Sequence, residues 1–190
     1  MSRTEPLSSS PTPVPEKPLG LRYALRWLGI ALLVVASLVV GVSWYVIEQG
    51  RIAETSAKQK RLIQAINAYR KVKGDVPDLV YNPLSARTWE RMPAEHMSRL
   101  LNELRTGSQT NQNIDRSNSY WKATGSFLGE DGGGSLTADA YGNSMIYQKD
   151  GGFGGGPRVV SAGPDGLFGF GDQGGKSATE CQRDNIYSDK

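Results

Sequence analysis

The sequence predicts an α+β chain: a long N-terminal transmembrane helix packed against a small antiparallel β-sheet, with a glycine-rich loop near the C-terminus. Three observations predict it. Residues 27–47 carry no charge, residues 62–72 carry apolar side chains at helical spacing, and two β-prone runs, Ser144–Gln148 and Arg158–Ser161, stand between glycines and turn residues. The 190 residues suffice for one domain and an anchor. The expected division is a disordered tail over 1–22, an anchor helix over 23–47 and a soluble domain over 48–190.

The tail is rich in proline and serine, a composition that buries too little apolar surface to offset the entropy of ordering. The uncharged run that follows, Trp27–Ile47, is close to the ~20 residues that cross a bilayer core. Tyr23 and Trp27 mark one end, and Trp44 and Tyr45 the other, as aromatic rings favour membrane interfaces. A buried core helix fits less well, because the rest of the chain is too polar to wrap it. So does a cleaved signal peptide, because the run is long and no small-x-small site follows cleanly. Arg3, Lys17, Arg22 and Arg26 precede the span; Arg51, Lys58, Lys60 and Arg61 follow it. The counts nearly balance, and the proximity of Arg22 and Arg26 mildly favours a cytoplasmic N-terminus. Ser37 and Gly41 share one face, a spacing that permits close helix contact.

From Glu48 to Lys73 the sequence stays helix-compatible. Leu62, Ile63, Ile66, Tyr69 and Val72 recur at three- and four-residue steps. Lys58, Gln59, Arg61, Gln64 and Arg70 fill much of the opposite side, so the basic cluster reads as a solvated face. Gly74 and Pro77 supply the stop. Gly50 costs only about 1 kcal/mol inside a helix, so one continuous rod is expected, about 70 Å from Trp27 to Lys73 at about 1.5 Å per residue.

A second helical pattern covers Asn82–Arg105, with Trp89, Met92, Met97, Leu100, Leu101 and Leu104 as its apolar positions and Pro93 starting its last segment. Residues 107–137 are polar and glycine-rich and read as a long loop. Residues 149–156, KDGGFGGG, connect the two β-prone runs as a hairpin. His96, between Glu95 and Arg99, reads as a surface histidine. Cys181, the one cysteine, forms no internal disulfide and reads as a spectator.

Several function classes drop away. The net charge of +3 comes with no basic face interleaved with aromatics, so nucleic acid is not an expected partner. No phosphate-binding glycine motif stands in the right setting. The one histidine and one cysteine lie in unrelated segments and no paired-carboxylate motif stands out, so a non-enzymatic role is expected.

Three stretches carry a resemblance: AINAYRKVKGDVPDL, Ala65–Leu79; DAYGNSMIY, Asp139–Tyr147; and SAGPDG, Ser161–Gly166, with Asp184-Asn185-Ile186 downstream. In this order, behind a membrane helix, they resemble the major pseudopilin of type II secretion systems and its type IV pilin-like relatives. The first is similar to that family's helix end, the second to its Asp-Pro-Trp-Gly-Asn-Pro-x-x-Tyr turn and strand, the third to its Ser-x-Gly-x-Asp-Gly loop. The resemblance implies a pilin-like fold, an inner-membrane location with the C-terminal domain in the periplasm, and other pseudopilins and inner-membrane secretion-platform proteins as partners. The chain departs from the family at its start. Leu25 stands where members carry a glutamate and Arg22 and Arg26 intrude, so the pattern for prepilin-peptidase processing and ordinary polymerisation is not met. The stretch between Asp172 and Asp184 is also longer than the family's loop.

Residues 163–172 read GPDGLFGFGD. Calcium takes six to eight oxygens from carboxylates and carbonyls. Asp165 and Asp184 are the best candidate carboxylates; Asp172, Asn185 and Asp189 are possible additions, and the Leu167 carbonyl is a further one. The residues alone favour a metal-free Pro-Asp-Gly turn over a metal site. The resemblance implies calcium in a structural role, since the family's corresponding loop binds it. Two functions stay open: a secretion or pilus-like assembly component, and a calcium-stabilised, membrane-anchored binding module that no longer polymerises.

Overall fold

The computed structural model describes residues 20–106, 119–129, 134–170 and 177–189; most of the expected N-terminal tail lies outside them. The chain divides into two compact units, Met1–Val46 and Ile47–Lys190. Helix α1 covers Leu21–Lys73 and is unbroken at Gly50, as the small cost of one glycine allows. It is long and apolar enough to cross a membrane. In the first unit its large apolar side chains stand exposed, Trp27 and Leu33 by 69% and Trp44 by 73%, and they surround the helix on all sides, the pattern of a span that faces lipid. Gly74 ends the helix, its positive φ of 89° allowing its N–H to reach the Arg70 carbonyl at 2.8 Å.

The second unit is α+β. Helix α2 is Thr88–Arg91 and α3 is Pro93–Thr106, with Pro93 in the first helical position, where its missing N–H costs nothing. Helix α4 is Ser119–Leu128. Strands β1, Ile146–Gln148, and β2, Arg158–Ser161, pair antiparallel with Ile146 opposite Val160. Helix α5, Ala178–Gln182, opens on a capping box between Ser177 and Glu180. Strand β3, Ile186–Tyr187, completes a three-stranded sheet in the order β1-β2-β3.

Alternation along the strands divides the core in two. Met145, Tyr147 and Val159 face one side and pack with Leu62, Ala65, Ile66 and Tyr69 of α1, Met97, Leu100 and Leu104 of α3, and Leu128 of α4. Ile146 and Val160 face the other side and pack with Ala162 and Phe168. The apolar stripe expected on α1 enters this core through Leu62, Ile66 and Tyr69, with Ile63 partly buried, whereas Val72 stays exposed. Upstream of it the same helix docks through polar groups. Thr55 and Gln59 are fully buried. The Gln59 side-chain amide donates to the Val159 carbonyl at 3.3 Å and the Ile186 carbonyl at 2.7 Å.

Three expectations need correction. Residues 107–137 are not all loop: α4 forms because Leu128 reaches the core and Thr124 Oγ1 donates to the Leu104 carbonyl at 3.0 Å. The second helical pattern begins at Thr88 rather than Asn82, while Pro93 does start its last segment. His96 is not on the surface but fully buried, because residues 96, 97, 100, 101 and 104 share one face of α3.

Candidate functional site

The backbone around the acidic glycine loop is set by a turn elsewhere in the sequence. Residues 139–143 form a tight turn in which Asp139 Oδ1 accepts the N–H groups of Tyr141 and Asn143, each at 2.9 Å. This is an Asx turn, the local conformation that a short carboxylate favours. Asp139 Oδ2 accepts the Ser161 hydroxyl at 2.5 Å. The Ser161 Oγ in turn accepts the Gly163 N–H at 3.0 Å, and Asn143 Nδ2 donates to the Gly163 carbonyl at 2.7 Å. Two of the sequence stretches singled out above are thus joined side chain to backbone, with Asp139 buried to 3% exposure at the junction.

Gly163 opens a single 3-10 turn, Gly163–Asp165. Its φ of 68° is left-handed, and a Cβ there would run into the Asp184 carbonyl. Glycine is required on both counts. This close approach brings Asp184 against the loop, although the two are far apart in sequence.

The candidate ligands divide unevenly. Asp165 Oδ1 accepts the Leu167 N–H at 2.9 Å. Asp184 Oδ1 is buried with no hydrogen-bond partner among the described residues, and so is Asn185 Oδ1. Asn185 Nδ2 donates to the Phe168 carbonyl at 3.3 Å. Asp172 lies outside the described residues. Asp189 is directed elsewhere: its Oδ2 accepts the Phe153 N–H in the β1–β2 connection at 2.9 Å. Among the described residues no group of three or more His, Cys, Asp or Glu side chains converges, so a cation here would rely on carbonyl and amide oxygens beside its carboxylates. Two buried, unpartnered oxygens on adjacent residues fit such a hard cation, because buried acceptors are otherwise almost always satisfied. Beside Asn185, a groove of about 540 Å³ runs over the outer sheet face between Arg158, Tyr187, Phe168 and Phe170.

The turn also meets α1. Thr55 Oγ1 accepts the Ala140 N–H at 3.1 Å, and the Tyr141 hydroxyl donates to Glu48 at 2.5 Å. Arg51 lies over the Tyr141 ring, 5.6 Å from its centroid. Burial and the neighbouring Glu48 carboxylate push the Tyr141 hydroxyl well above the usual phenol range, so it stays a donor. Asp139, Asn143 and Ser161 were not among the ligand candidates; the Asp-x-x-x-Asn spacing is the signal that could have marked the first two.

No family model, curated protein or solved structure matches this chain.

Proposed function

We propose that this protein is a pseudopilin-like component of a type II secretion or type IV pilus-like system, non-enzymatic and acting through helix packing and assembly. The reading rests on the resemblance of three stretches, and one observation supports it above the others. The stretches Asp139–Tyr147 and Ser161–Gly166, separate in sequence, are held together through Asp139, Ser161, Gly163 and Asn143. They behave as one structural unit, as expected if the motifs share a purpose. The long apolar helix is compatible with a single-pass anchor, and the reading places it in the inner membrane with the C-terminal domain in the periplasm. Its partners would be other pseudopilins and inner-membrane platform proteins.

Calcium belongs to the same proposal. Asp184, Asp165, the Leu167 carbonyl and Asn185 would hold it. When bound, it would neutralise the carboxylates and tie the loop to the segment before β3. Calcium should raise the unfolding temperature of the full chain in detergent, and Asp165→Ala or Asp184→Ala should abolish the rise. A wild-type protein indifferent to calcium defeats this part of the reading.

The assembly role is tested by crosslinking in native membranes followed by affinity capture. Recovery of other pseudopilins and platform proteins is expected; a protein that is captured alone, as a monomer, defeats it. The second reading, an anchored binding module that no longer polymerises, is favoured by Leu25 standing where the family carries glutamate, and by that experiment's negative outcome.

A further inference from the structure

Gly163 is held from three directions. Its N–H goes to Ser161, its carbonyl takes the Asn143 amide, and its Cα lies against the Asp184 carbonyl. The first two partners lead into the 139–143 turn. Asp139 holds that turn with one carboxylate oxygen and Ser161 with the other. The same turn reaches α1 at Thr55 and Glu48. A carboxylate on so short a side chain cannot shift toward one partner without loosening the other.

We infer that Asp139 is a positioning residue for the Gly163–Leu167 loop, and that filling this loop with calcium tightens the docking of residues 139–143 on α1 at Glu48 and Thr55. This rests on the calcium reading above. The physical basis is linkage. A ligand that binds only the ordered loop stabilises every contact that ordering requires, and by reciprocity those contacts strengthen the ligand's binding by the same factor. The helix end of the network lies just after the uncharged stretch of α1, so occupancy of a loop near the C-terminus is felt where the domain begins.

The test uses the full chain in detergent micelles, with calcium as the probe. Calcium affinity is measured by titration calorimetry and backbone protection by hydrogen exchange on the same samples. In the wild type, calcium should slow exchange in 163–167 and 139–143 together. Asn143→Ala and Asp139→Asn should bind calcium more weakly than the wild type, with 139–143 no longer protected when it binds. Tyr141→Phe cuts the network at its far end, away from the loop, and should weaken calcium binding by about five- to tenfold, the lower part of the range usual for coupled sites. It also keeps the test alive if Asp139→Asn fails to fold. A merely structural role for Asp139 would lower the unfolding temperature of Asp139→Asn without moving its calcium affinity.

Calcium that protects 163–167 alone, with Tyr141→Phe binding as the wild type does, overturns the coupling and leaves the calcium reading standing. A wild type that binds no calcium overturns both.

Discussion

Acidification should destabilise this domain through His96. The imidazole is fully buried, parallel to Trp89 at 6.3 Å and to Tyr147 at 6.4 Å, with Tyr81 edge-on at 5.4 Å. Its Nε2 lies 3.0 Å from the Tyr147 carbonyl and its Nδ1 has no partner among the described residues. Burial lowers the pKa from 6.5 to about 4, against smaller opposing effects from the Tyr147 carbonyl and the Glu90 carboxylate. The neutral ring, with Nε2 as donor, is therefore the folded form. The sign follows: above pH ~6.5 neither state is protonated and nothing is lost, while below it the unfolded chain takes up a proton that the folded one refuses. Stability falls as pH drops through this window and levels off near the folded pKa. At about 1.4 kcal/mol per pH unit, the full loss is about 3 kcal/mol. Chemical denaturation of the full chain in detergent, run from pH 7.5 to 4.5 and followed by near-ultraviolet circular dichroism, measures it. His96→Gln keeps a donor for the Tyr147 carbonyl and cannot titrate, so its profile should be flatter over the same range. Parallel profiles for the two proteins would refute the reasoning.

Other outcomes follow from single side chains. Gln59→Ala strips the side-chain donor from two strand carbonyls and should cost about 1–3 kcal/mol, measurable by the same denaturation. Leu100→Ala empties a fully enclosed position on the core face of α3 and should cost about 2–5 kcal/mol. Gly163→Ala should both destabilise the domain and weaken any calcium response, because the new methyl displaces Asp184; an unchanged unfolding temperature would contradict the close approach described. Cys181 is fully buried, so a bulky thiol reagent should modify it only as the domain unfolds, at the rate of global opening.

The sequence made some elements legible because their physics is local. The uncharged run, the stripe through Leu62, Ile66 and Tyr69, and the hairpin runs bounded by glycines each declare themselves within a few residues. Helix α4 did not, because its core anchor, Leu128, follows a stretch with glycine, serine and threonine and gains its partners from segments distant in sequence. Strand β3 has two residues, and its register is dictated by Val160 and Ser161. His96 was obscured by its charged neighbours, although the 96, 97, 100, 101, 104 spacing carried the signal. For the site, Asp184 was chosen for its charge and is placed against Gly163 by the fold, whereas Asp189 has the same charge and serves the hairpin instead. Asp139 escaped notice as a site residue because its role depends on Ser161, a contact that composition and spacing do not encode.

Gln59 has one further consequence. Its amide group grips carbonyls on two neighbouring strands, β2 and β3, beside an apolar stripe that by itself would let the helix glide along an oily surface. Apolar side chains tolerate sliding, since one methyl resembles another, but a bifurcated clasp does not. Sliding α1 by about 1.5 Å, the rise of one residue, would carry the amide out of hydrogen-bond reach of one or both carbonyls. The residue thereby works as a pawl, helping to turn a greasy bearing between helix and sheet into a joint with a fixed stop.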